Sequence, residues 1–399
     1  MTHRQTSQLK LHLPHGALAL PVFLPDATRG VVKAVDSTDL EAVGIEGLVM
    51  SAFHLMQHPG STTVKALGGL HTMSSWQRPI VTDSGGFQAY SMIRQNAKFG
   101  SLTDKGIVFR PDIKSKVLLS PEKSVQLQMS YGADVVICLD DCTHPEDTDD
   151  NQRASVRRTI AWAKRCKAEF ELLTREPRRN VARHPQDEAG GHIRKEAVEQ
   201  AHPLLFGVVQ GGSSKELRKA CADALIDMGF DGFGYGGWPL NSKGELVRDM
   251  VSYTRELIPR ELPMHALGIG HPSSIVECVR MGYDIFDSAL PTRDARRGRL
   301  MRFIQPLDEI NFSGEDKWWG YLYVEDDKFV KDDQPISGQC DCLTCRRYSR
   351  GYLHHLFKIK DATFLRLATV HNLRFMTQLM ERVRRISRVR FEGSDANAT

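Results

Sequence analysis

The residues best placed to do chemistry lie between 283 and 299. Asp287 closes the short apolar run Tyr283-Asp284-Ile285-Phe286, Pro291 marks a turn after it, and Arg293, Arg296, Arg297 and Arg299 follow. A carboxylate at a strand end beside several guanidinium groups reads as a reactive acid next to an anion-binding surface, and an RNA backbone is the anion that fits best. A second cluster, Cys340-x-Cys342-x-x-Cys345, sets three thiols in one tight turn. Such turns grip zinc tetrahedrally with a fourth ligand, for which His354, His355 and His371 are the downstream candidates. Four protein ligands close the shell, so the expected metal is a structural one. The other cysteines, Cys138, Cys142, Cys166, Cys221 and Cys278, are scattered. That points to a reducing cytoplasm, not a disulfide framework.

These residues need a frame. Eight short apolar runs recur, mostly separated by helical patterns, at 22–25, 47–51, 80–83, 134–140, 204–210, 232–237, 265–270 and 284–287. Their apolarity is continuous, as in strands buried on both faces of a parallel sheet. Eight such strands interleaved with helices predict an α/β fold, a (β/α)8 TIM barrel. Asp83, Asp140, Gln210, Gly237, Gly268 and Asp287 stand at or near the C-terminal ends of their runs. In that barrel those ends form one rim where chemistry is done. An open doubly wound sheet would load the same ends, but no dinucleotide fingerprint is present.

Helix signals punctuate the rest. Ser120-Pro121-Glu122 is an N-cap with proline at the first helical position, opening a helix to about residue 130. Helical spacing returns over 152–173, and over 362–391 it predicts one amphipathic helix or a broken pair. Residues 174–201, rich in Arg, Pro, Gly and His with little periodicity, read as an exposed insertion. The expected organisation is a catalytic barrel over 1–302, a zinc-binding subdomain over 303–372, and a returning helix and tail over 373–399.

Composition bounds the class. The chain has 399 residues, 41% hydrophobic and 26% charged, as a globular protein does. A net charge of +4 is too mild to mark a nucleic-acid binder, so the clustering of arginine matters more. No run approaches the roughly eighteen apolar residues of a membrane span. The first residues lack the apolar centre of a signal peptide.

With these motifs in view, the chain resembles the tRNA-guanine transglycosylases (queuine tRNA-ribosyltransferases). The resemblance rests on Thr82-Asp83-Ser84-Gly85-Gly86-Phe87-Gln88, Leu119-Ser120-Pro121-Glu122, Leu139-Asp140-Asp141-Cys142, Val209-Gln210-Gly211-Gly212, Phe286-Asp287-Ser288 with Pro291-Thr292-Arg293, and the cysteine cluster. It covers nearly the whole length apart from 174–201 and the last few residues. It implies exchange of the wobble guanine of a tRNA for a 7-deazaguanine base, the aminomethyl precursor of queuosine or queuine, by double displacement through a covalent enzyme-RNA intermediate. Asp287 matches the nucleophile and Asp83 the general acid/base. Ser84, Gly85, Gly86, Phe87, Asp140, Gln210, Gly237, Trp238 and Leu267 match the base site. Gly268, His271, Ser274, Thr292, Arg293 and Arg296 match positions that hold the anticodon loop. His371, in the pair His371-Asn372, matches the fourth ligand of one structural Zn2+ per chain. Family members are commonly dimers, and Tyr348, Tyr352 and His355 stand where the homodimer interface is expected.

One stretch departs from the family. After Gly236-Gly237 bacterial members usually continue Leu-Ala-Val-Gly-Glu and eukaryotic ones Leu-Ser-Gly-Gly-Glu, whereas this chain reads Trp238-Pro239-Leu240-Asn241-Ser242. That leaves the identity of the incoming base open. Two other function classes compete: a non-catalytic partner subunit, against which both aspartates argue, and a relative acting on DNA or on free nucleosides.

Overall fold

A computed structural model describes residues 10–110, 116–175, 202–312 and 317–395. Its central strands are β1 (Val22–Pro25), β2 (Leu48–Ser51), β3 (Ile80–Asp83), β4 (Val135–Ile137), β5 (Leu204–Val209), β6 (Gly232–Tyr235), β7 (Met264–Ala266) and β8 (Ile285–Ser288). They form one eight-stranded sheet in the order β1-β8-β7-β6-β5-β4-β3-β2. The pairings of β1 with β8, β7 with β8, β5 with β6, β4 with β5 and β3 with β4 are parallel. A parallel bridge between Asp26 and Val49 joins the two ends of that order, with Ala27 N–H donating to Val49 O at 2.7 Å. The fold is therefore the expected (β/α)8 barrel. Every residue of β1, β2 and β6 is buried, which is why these runs carry no polar alternation.

The chain divides into two units, residues 12–17 with 50–262, and residues 1–11 with 18–49 and 263–399. In the first, Ser120 caps the helix Pro121–Tyr131 by accepting from Lys123 N–H, and Gly132 ends it at φ +84. Gln128 on that helix is fully buried and ties two strands. Its Oε1 accepts from Thr82 Oγ1–H at 2.9 Å and from Ile137 N–H at 3.0 Å, and its Nε2–H donates to Ile137 O at 2.9 Å. The helix Asp149–Arg175 runs longer than its 152–173 pattern, with Asp149 and Asp150 suiting the positive end of its dipole. Thr174 and Arg175, read from sequence as part of the insertion, are thus helical, and residues 176–201 lie outside the described residues. An antiparallel sheet of Gly100–Thr103, Gly106–Phe109 and Val117–Leu119 was not foreseen, because its strands are too short to show a period.

The second unit holds β1, β7 and β8 and everything after them. The strand Arg299–Phe303 pairs antiparallel with Trp319–Tyr323, so residue 302 falls inside a strand. Ala362–Asp395 is a single helix, with neither proline nor glycine to break it before Gly393. Residue 372 therefore falls inside one element. Phe303 and Phe375 stack at 4.3 Å between that helix and the strand pair. Among the described residues no helix is long and apolar enough to cross a membrane.

Candidate active site and metal centre

In the unit containing β8, Asp287 is the penultimate residue of its strand, with its side chain 17% exposed. One carboxylate oxygen is held twice. Oδ1 accepts from His265 Nε2–H at 2.8 Å and from Gly268 N–H at 2.9 Å. β7 ends at Ala266, short of the 265–270 run, and Gly268 at φ +75 turns the backbone so that its N–H meets the carboxylate. His265 is fully buried in β7, and its Nδ1 has no partner among the described residues. Sequence reasoning took His265 only as part of a strand. The available signal was an imidazole inside an otherwise apolar run, which must find a partner.

Beyond Asp287 the helix Leu290–Arg296 carries the basic residues. Arg293 is exposed, Arg296 half-buried, and Thr292 buried with its hydroxyl donating to Ala289 O. Burial pushes the Arg296 guanidinium below its ordinary value, and Arg293 and Arg297 add repulsion against the attraction of Asp26. Arg296 Nη1 is buried without a partner among the described residues. A cation so placed favours an anion arriving from outside. In the turn leading to the helix Pro272–Met281, Leu267 is half-buried and His271 is exposed, and Ser274 in the first turn of that helix is half-buried. The His271 ring sets its edge against Trp319.

In the other unit, Asp83 ends β3. Its Oδ1 accepts from Gly85 N–H at 3.2 Å and its Oδ2 from Gln88 Nε2–H at 2.7 Å. Asp140 lies three residues past β4 and is 8% exposed. Gln210, just past β5, donates from Nε2 to Asp140 Oδ2 at 2.7 Å, while Ser84 Oγ stands 3.5 Å from Oδ1. Burial pushes the Asp140 carboxyl up to about 6, with Asp141 adding repulsion and Gln210 and Ser84 restraining the rise. Gln210 Oε1 is left without a partner among the described residues. A carboxylate and an amide with so few partners suit a planar ligand edge bearing N–H donors and a carbonyl. Gly86 is needed against this site, since a Cβ there would lie 2.7 Å from Asp140 Oδ1.

The walls are aromatic. Phe87 is 45% exposed, and its ring lies 5.6 Å from Trp238 at 20°. Trp238 also borders a cavity of about 550 Å³ with Tyr90, Ser91, His144, Leu240, Asn241, Ser242 and Gly244. Gly237, at φ +87, precedes Trp238, whose N–H donates to Thr143 O. Arg218, unnoticed in the sequence, is buried beneath. Its guanidinium donates to Val209 O, Gly212 O and Gly236 O and lies 4.2 Å from the Tyr235 ring, fixing the loops that carry Gln210 and Gly237.

Cys340, Cys342, Cys345 and His371 bring their ligand atoms within 4.8 Å of one another. His371 Nε2–H donates to Met301 O at 2.7 Å, which leaves the Nδ1 lone pair facing Cys345 Sγ at 3.3 Å. Three sulfurs and an imidazole nitrogen in that arrangement fit a metal ion. His354 is engaged elsewhere, through Nδ1 to Val324 O, and His355 is exposed. A second close group, His15, His71 and Asp134, does not fit a metal. Its imidazoles stack at 3.5 Å and 17°, so their in-plane nitrogen lone pairs run side by side and do not converge on one ion.

The family model for queuine tRNA-ribosyltransferase matches residues 6–393. Similar proteins include the queuine tRNA-ribosyltransferases of Caldanaerobacter subterraneus, 36% identical over 376 residues, and of Halothermothrix orenii, 35% identical over 377 residues. Each of those matches covers 94% of this chain and 88% of the relative. The Staphylococcus aureus protein of the same name is 34% identical over 379 residues, 95% of this chain and 88% of its own length.

Proposed function

The chain belongs to the queuine tRNA-ribosyltransferase family, and from that membership we infer that it is a tRNA-guanine transglycosylase, a pentosyltransferase acting on the wobble guanine of a tRNA anticodon. The incoming base is a 7-deazaguanine, a queuosine precursor or queuine. The observation that carries the residue assignment is Asp287: a part-exposed carboxylate at a strand end, oriented through one oxygen and followed by an arginine helix.

The reaction follows as a double displacement. The Asp287 carboxylate forms a bond to the ribose anomeric carbon as the bond to guanine breaks, and Asp83 gives the departing base its proton. Ribose stays on the enzyme as an ester while the bases swap. Asp83 then takes a proton from the incoming base, whose nitrogen attacks the anomeric carbon, and the electron pair returns to Asp287. Two inversions retain the sugar configuration, as in retaining glycosidases. The base must leave its stack to be reached. Asp140 accepts its N–H edge, and Gln210 and Gly237 N–H read its carbonyl. Phe87 stacks on the ring plane, and Ser84, Gly85, Gly86, Trp238 and Leu267 are the other base-binding residues. Gly268, His271, Ser274, Arg293 and Arg296 hold the anticodon loop, with buried Thr292 steadying the arginine helix.

Cys340, Cys342, Cys345 and His371 hold one structural Zn2+, the ion that suits a closed thiolate-imidazole set. The stacked pair Tyr348 and Tyr352, with exposed His355, forms the homodimer interface of a cytoplasmic enzyme. Sedimentation should return a dimer at micromolar concentration, with metal analysis giving one zinc per chain that Cys345→Ser removes. The function itself is tested with an anticodon stem-loop RNA on denaturing gels. A covalent band should form, and Asp287→Ala should abolish it. A band that survives this substitution would refute the assignment.

A further inference from the structure

We propose that His265 is the positioning residue of the nucleophile: it fixes Asp287 Oδ1 so that Oδ2 attacks, and it weights the equilibrium against the ribosyl ester. This rests on the assignment of Asp287 above. Both observed donors, His265 Nε2–H and Gly268 N–H, converge on Oδ1. Oδ1 therefore points into the protein, and Oδ2 is the oxygen left for a ribose. The carboxylate only accepts, so His265 carries its proton on Nε2. Nδ1 has no partner among the described residues, so Nε2 is the only ring nitrogen that holds this side chain to a neighbour.

The chemistry gives that bond a second role. When Oδ2 bonds to the anomeric carbon, the electron pair of the broken glycosidic bond leaves with guanine. Oδ1 then becomes a neutral ester carbonyl. Hydrogen bonds to a charged acceptor are the stronger ones. His265 and Gly268 therefore stabilise the free carboxylate more than the ester, and the second displacement, which restores the carboxylate, gains what the first gives up. An exchange enzyme needs that weighting, because an ester held too well would stall before the new base arrives.

His265→Gln keeps an N–H at about the same reach, whereas His265→Leu removes it. Exchange of radiolabelled guanine into an anticodon stem-loop should fall roughly ten- to a hundredfold in His265→Leu and only a few-fold in His265→Gln. At steady state the fraction of His265→Leu enzyme trapped as covalent adduct should rise while its turnover falls. A packing role moves the two together, so adduct and turnover declining in parallel would overturn the proposal. Equal loss in the leucine and glutamine variants, whether by misfolding or by inactivity, would overturn it too. Loss of the adduct in Asp287→Ala is read separately and tests the nucleophile, not His265.

Discussion

Two aspartates flank the same short strand and are treated oppositely. Asp134 stands just before β4 and Asp140 just after it, both largely shut from solvent. Each oxygen of Asp134 takes a backbone N–H and faces an imidazole. Oδ1 accepts from His15 N–H and Nδ1–H, and Oδ2 accepts from Ile80 N–H with His71 Nε2 at 3.2 Å. Burial alone would raise its carboxyl, but the His15 and His71 contacts, with Ile80, bring it down to about 2. Asp140 has one short side-chain donor and one distant hydroxyl, and burial takes it up to about 6. A carboxylate at the N-terminal end of a barrel strand is saturated and stabilises the fold. The one at the C-terminal end is left short of donors.

The comparison can be broken at either end, and the largest effect is expected at the ligand end. Asp140→Asn should lower kcat/KM by roughly 10²- to 10⁴-fold, the loss of two charge-assisted hydrogen bonds to the base, while its melting temperature holds or rises. A drop in stability with intact exchange would assign Asp140 to the fold. The same residue sets a pH limb. Below about 6 the carboxyl is protonated and no longer accepts both N–H groups of the base. In the parent enzyme kcat/KM should then fall about tenfold per pH unit. Asp140→Asn should flatten that limb.

Asp134→Asn should do the reverse, costing about 2 kcal/mol in denaturant unfolding at neutral pH and leaving the shape of the pH–rate profile alone. The sign follows from a folded pKa below the unfolded one. The stabilisation is complete above the ordinary Asp range and is lost as pH falls through about 2, so parent and variant should converge in acid. A constant gap down to pH 2 would mean the imidazoles act by packing alone.

How much of this was legible depended on whether the cause was local. The bounds of β1 and β3 could be read because Pro25 and Asp83 end their runs. The cysteine cluster and the Asp83, Asp140, Gln210 and Asp287 positions announced themselves by spacing and by placement after apolar runs. β7 was misplaced, because 266–270 is apolar throughout and only the turn at Gly268 stops the strand. The supports were invisible. His265 reaches Asp287, Gln128 ties Thr82 to Ile137, and Arg218 holds the turns after β5 and β6. Each looks like an ordinary polar residue until the fold brings its partner, and no local rule predicts a bond set by tertiary packing. Trp238 was conspicuous for the opposite reason, as a tryptophan where the family usually carries leucine.

Everything proposed for this enzyme depends on transfer of ribose to Asp287. Mass spectrometry of the adduct, after nuclease trimming and proteolysis, tests it most directly. A ribosyl mass should appear on the peptide containing Asp287 and on no other, and be absent from Asp287→Asn. Modification at Asp83 instead, or base exchange proceeding with no adduct at any residue, would contradict it.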